Sequence, residues 1–148
     1  MSEADTSERQ GWMAVLARAS GAELAARSAG LLPGHSRLRG PEVGLMMVQG
    51  RAGGTGAAFN LGEATVARCS VRLEEGMVGH SYCLGRDLMQ AELAAVLDAA
   101  LQDPVRHDAL HRAVVAPLAA AQAAVRNETA RRAAATRVQF FTMATMRS

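Results

Sequence analysis

The sequence predicts an α+β domain, an antiparallel β-sheet with N-terminal and C-terminal helices packed against it. Three observations carry that reading. Helix signals occupy about 6–30, strand-like patterning about 42–84, and helix signals return over about 88–136. The turns between the strand-like runs are short, so neighbouring strands run antiparallel. A length of 148 residues fits one domain, with the last stretch, 137–148, as an aromatic-bearing tail.

In "ADTSERQGWMAVLARAS", Asp5 or Thr6 serves as a helix cap, and Trp12, Val15, Leu16 and Ala19 form one apolar stripe. "SGAELAARSAG" predicts a second helix, with Ser20 and Glu23 in a capping box and Gly30 as the stop. "LLPGHSRLRGPE" reads as a loop punctuated by Pro33-Gly34 and Gly40-Pro41. "VGLMMVQGRA" is apolar on both faces, as a central strand is. In "ATVARCSVRL", Ala67, Cys69, Val71 and Leu73 point one way and Arg68, Ser70 and Arg72 the other. A turn near Glu75-Gly76 leads into "MVGHSYCLG", which places Val78, His80, Tyr82 and Leu84 on one face. Asp87 with Gln90 caps a helix running to about Gln102, with Leu93, Val96, Leu97 and Leu101 buried. Asp103-Pro104 starts another helix, expected to break near Pro117, before a long alanine-rich helix.

Composition narrows the function. Hydrophobic residues make up 49% of the chain, but much of that is alanine, and only 3% is aromatic. Such a core buries little area per residue, so the domain is expected to lean on a partner. A net charge of +2 gives no argument for nucleic acid. All 16 basic residues are arginine, which excludes Schiff-base and Walker-type lysine chemistry. Cys69 and Cys83 are too few for an iron–sulfur cluster or a four-cysteine zinc site and read as small core residues. The polar, acidic N-terminus is unlike a signal peptide, and no apolar run approaches the ~20 residues that span a bilayer. The expected location is the cytoplasm, with no membrane and no nucleic-acid partner.

Several groups are candidates for binding. Arg51 with Gly53, Gly54, Thr55 and Gly56 has the composition of an anion cradle, since glycines let backbone N–H groups converge. The same residues suit a wide hairpin loop that needs positive φ angles, and they match neither GxxxxGK[ST] nor GxGxxG opening a helix. Arg68 and Arg72 share a sheet face, and Arg86 sits at a strand-to-helix junction where anions are often held. That face is either an anion or nucleotide contact or a solvated surface. His107 and His111, at i and i+4, have metal-ligand spacing but no third ligand, so a solvated face is expected and no metal. No residue is assigned a catalytic role. Phe140, Phe141 and Met143 in the tail are candidates for a partner interface, or for a terminal strand closing the chain's own core.

Taken in order, "RQGWMAVLA", "RAGGTGAAFNLGEATVARCSVRL", "GMVGHSYCLGRD", "AELAAVLDA", "APL" and "RVQFFTM" resemble the PhnG family of the phosphonate carbon–phosphorus lyase system, over nearly the whole chain. The resemblance implies a small cytoplasmic, bacterial subunit of a core complex with PhnH-like, PhnI-like and PhnJ-like chains. With the PhnH-like and PhnI-like chains and a PhnL-like component, it implies support for synthesis of α-D-ribose 1-methylphosphonate 5-triphosphate. In that step a phosphonate displaces adenine from ATP, with ATP and Mg as substrate of the complex and no cofactor held by this chain alone. The resemblance further implies that catalytic residues lie on a partner chain. The alternatives are an assembly scaffold, or an independent phosphate-binding enzyme using the arginine face.

Overall fold

The computed structural model describes residues 3–137. Helix α1 (Glu3–Leu16) and α2 (Gly21–Ser28) precede a sheet of β1 (His35–Arg51), β2 (Ala58–Leu73) and β3 (Val78–Leu84). Helices α3 (Leu88–Leu101), α4 (Pro104–Leu110) and α5 (Ala116–Ala135) follow, with a π-helical turn, His111–Val115, joining α4 to α5. The sheet is antiparallel in the order β1-β2-β3.

Local chemistry sets the boundaries. Ser20 Oγ accepts from Glu23 N, and Glu23 reaches back to Ser20 N, completing the expected capping box of α2. Gly30 follows at φ 74. Asp87 accepts from Gln90 N and Asp103 from Val105 N, which start α3 and α4. Helix α1 starts at Glu3, so Asp5 and Thr6, expected as caps, lie inside it.

The core lies between the sheet and α3. Ala67, Cys69, Val71, Leu73 and Cys83 are buried on the sheet's inner face, against an α3 that is buried continuously from Ala94 to Leu101. Alanines let α3 come close. At Gly79, a Cβ would fall under 3.0 Å from Ala95 O, Ala99 N and Ala99 Cβ, so the strand and helix backbones nearly touch. Ser81 Oγ donates to Ala91 O at 2.6 Å, and Gln102 Nε2 to Val78 O at 2.9 Å. Trp12, Leu16 and Leu24 close the core from α1 and α2, and Val114 and Leu118 from the C-terminal helices.

Three expectations are corrected. The stretch expected as a loop up to about residue 42 enters the sheet at His35, with register shifts around Leu38, Gly40 and Pro41. An edge strand tolerates proline and glycine at such bulges. The run "VGLMMVQGRA" belongs to that edge strand, not to a central one; β2 is central. Its two apolar faces are exposed because β1 and β2 continue as a two-stranded ribbon past the helices. Finally, the chain does not break near Pro117. An i→i−5 bond from Ala116 N–H to His111 O widens the preceding turn, where an α-turn would press the proline ring on the Ala113 carbonyl.

Candidate subunit interface

The ribbon is the most distinctive surface. From Val43 to Leu61 it exposes Val43, Leu45, Met46, Met47, Val48, Phe59 and Leu61, with Leu45 at 63% and Leu61 at 62% exposure. Strand alternation sends Val43, Leu45 and Met47 to one face and Met46 and Val48 to the other. Leu61 lies across Gly50, whose missing side chain leaves it room. Between Val43 and Gly62 the only charged residue is Arg51. Apolar surface this concentrated on one element marks a docking site more than an ordinary solvated face.

The glycine loop is the tip of this ribbon. Arg51 pairs with Ala58, and Ala52–Gly54 form a 3-10 turn in which Gly53 and Gly54 have φ 62 and 78. Gly56 N–H donates to Ala52 O at 3.0 Å, and Arg51 Nη1 donates to Gly56 O at 3.4 Å. The positive φ angles, with Thr55 between Gly54 and Gly56, serve hairpin closure. Arg51 makes no salt bridge among the described residues.

The four candidate arginines, expected near one another around the glycine loop, lie at separate places. Arg68 and Arg72 do share the open face, with Ser70 between them and His80 opposite Ser70. Ser70 Oγ and His80 Nδ1 form a hydrogen-bonded pair at 2.9 Å. Arg68 Nε donates to Glu42 Oε1 at 2.8 Å, and Arg39 engages the same carboxylate. These bonds, Arg68's first, hold the Glu42 carboxyl below its usual range. Arg72 makes no ion pair among the described residues. Arg86 follows β3, beside the point where Gly85 N–H donates to Thr65 O. Asp87 itself occupies the start of α3, so that helix terminus already holds an anionic group. Arg51 stands at the level of Ala58, ten residues along β2 from Arg68 (58 to 68), or about 33 Å at ~3.3 Å per residue. The four guanidiniums therefore do not converge on one site.

A cleft of about 550 Å³ lies between α1 and α4, lined by Glu8, Arg9, Trp12, Gln102, His107 and Asp108 among others. Its polar groups face inward partners. His107 Nδ1 donates to Leu101 O at 2.8 Å, its Nε2 lies 3.4 Å from Glu8, and its ring stacks on His111 at 5.8 Å. Arg9 is bound to Asp98. Among the described residues no group of three or more His, Cys, Asp or Glu side chains could hold a metal ion, and no helix is long and apolar enough to cross a membrane. The tail candidates Phe140, Phe141 and Met143 lie outside the described residues.

Two features of the structure escaped the sequence reading. One is the ribbon as an exposed surface. The other is Asp98, a single carboxylate inside the apolar run "LAAVLDAAL", which is itself the only local signal for it.

The family model for the phosphonate metabolism protein PhnG matches residues 7–146. The chain belongs to the PhnG family. A relative from Rhizobium meliloti (strain 1021), the alpha-D-ribose 1-methylphosphonate 5-triphosphate synthase subunit PhnG, is 45% identical over 146 residues, which cover 95% of this chain and 91% of that protein. The match to the PhnG model spans the ribbon, the open face and the α3 core alike.

Proposed function

We propose that this chain is an accessory subunit of an α-D-ribose 1-methylphosphonate 5-triphosphate synthase in phosphonate metabolism. The observation that carries this is the near full-length similarity to a relative named as such a subunit. The geometry fits it, because the apolar ribbon is a surface suited to burial against another chain. On this reading the partners are PhnI-like, PhnH-like and PhnJ-like subunits with a PhnL-like component, in the cytoplasm. ATP, with Mg, and a phosphonate are substrates of the complex; adenine leaves ribose C1 as the phosphonate attacks, at a site on a partner chain. Arg72, which makes no ion pair among the described residues and lies next to the Ser70–His80 pair, is the described group best placed to meet a phosphate oxygen.

The test is adenine release from ATP plus methylphosphonate. The complete complex is expected to be active, and the complex without this chain, or this chain alone, inactive. Adenine release by the isolated chain would overturn the accessory reading in favour of an independent enzyme. Replacing Leu45 and Leu61 with aspartate is expected to prevent assembly. If Arg72→Ala leaves assembly intact but lowers activity, the arginine face contributes to substrate handling; unchanged activity reduces the chain's role to scaffolding.

A further inference from the structure

The two edges of the sheet are treated differently by the rest of the chain. On β3, helix side chains take two of the outward backbone groups at the end nearest α3: His80 N–H donates to Asp98 Oδ2 at 2.9 Å, and Val78 O accepts from Gln102 Nε2 at 2.9 Å. On β1, the proximal half carries the devices that blunt an edge, namely Arg37, Arg39, Pro41, Glu42 and the register shifts among them. The distal half, residues 43–50, has no charge and no proline, and its single register shift, at Val48/Gln49, places the extra residue, Leu61, on β2 rather than on β1. β2 pairs with only one side of this half, and no side chain among the described residues bonds to its backbone.

We infer that the outer edge of β1, residues 43–50, receives an extended strand from another subunit of the synthase, which adds a fourth strand to the sheet. This rests on reading the chain as a synthase subunit. An extended backbone satisfies the row of open N–H and C=O groups, while its alternate side chains continue the two apolar faces. At ~150–200 Å² for a whole residue, the seven ribbon side chains expose about 600 Å², about three quarters of the ~800 Å² per partner in a standard interface, and an added strand's backbone pairing extends the contact beyond them. Charge defines the incoming segment. With no charge over 43–50 and Arg51 at the tip making no salt bridge among the described residues, the matching strand is apolar, with a carboxylate at the end that reaches Arg51.

Hydrogen–deuterium exchange of the full chain, alone and within the complex assembled with the other synthase subunits, tests this. Alternate amides over 43–50, open in the isolated chain, are expected to slow by about tenfold or more on assembly, while the amides between them, already bonded to β2, change little. A complex that forms with these alternate amides unchanged overturns the edge proposal and leaves the subunit reading standing. Failure to form any complex overturns both. If the same protection develops in the isolated chain as its concentration rises, a second copy is the occupant and the proposal is wrong.

Discussion

Arg9 grips the Asp98 carboxylate from two directions, Nε to Oδ1 at 3.1 Å and Nη2 to Oδ2 at 2.8 Å. Trp12 Nε1 donates to the same Oδ1 at 3.0 Å, and His80 N–H reaches Oδ2. One carboxylate buried in α3 thus ties α1 to the edge of β3. Its replacement by alanine strands a guanidinium, an indole N–H and a strand amide. Asp98→Ala is expected to cost about 3–5 kcal/mol, the range for breaking a buried pair from one side. Urea denaturation measures it; a loss under about 1 kcal/mol would show that the carboxylate is not a structural tie.

Gly79 is the point of closest approach between β3 and α3. Because the atoms a Cβ would meet are mostly helix backbone, no side-chain rotation relieves the overlap. Gly79→Ala is expected to destabilise by about 1–3 kcal/mol or more, by forcing α3 off the sheet. Gly11, whose Cβ would meet nothing within 4 Å, is the control, and Gly11→Ala should leave the melting temperature unchanged or raised.

The pH dependence centres on Glu92. Bonds from Arg37, at 2.6 Å and 2.8 Å, and from His35 hold its carboxyl below the usual 4.5. A depressed folded value means that the pair stabilises the fold above the unfolded value and that this is lost as pH falls through the folded one. Melting temperature is therefore expected to decline below about pH 4.5, and Glu92→Gln to flatten part of that decline. The effect is modest, since Arg37 is largely exposed. An identical acid profile in the variant would remove the pair from the account.

Burial pushes the Cys83 thiol up to about 11, with Asp87 adding to the shift, and burial also raises Cys69. Both sulfurs stay protonated at neutral pH and are enclosed by the core. A disulfide reagent at pH 8 is expected to modify neither in the folded chain and both after denaturation. Rapid labelling of the native chain would place a thiol at a reactive surface.

Local signals in the sequence located the fold's elements well. Ser20 with Glu23, Asp87 with Gln90, and Asp103-Pro104 encode helix starts within a few residues, and the alternation from Ala67 to Leu73 fixes which sheet face is buried. Burial by a partner is not encoded that way. Apolar side chains on both faces of Leu45–Val48 have the same pattern whether a second layer of this chain or another chain covers them. Nor does any spacing reveal Asp98, whose partners Trp12 and Arg9 lie 86 and 89 residues away. Alternation correctly put Arg68 and Arg72 together, but the ribbon's length carried Arg51 away from them.

Strand β2 is unbroken from the glycine loop to the heart of the core. Its first residues sit in the ribbon and its last lie beneath α3, across about 50 Å at ~3.3 Å per residue. No loop interrupts that run to act as a joint; it carries one bulge, at Leu61 opposite Val48/Gln49, while the extra residues near Arg39 belong to β1. The ribbon is accordingly a lever with its fulcrum in the core, so that whatever fixes the tip also constrains the tilt of the face that carries Arg68, Arg72 and His80.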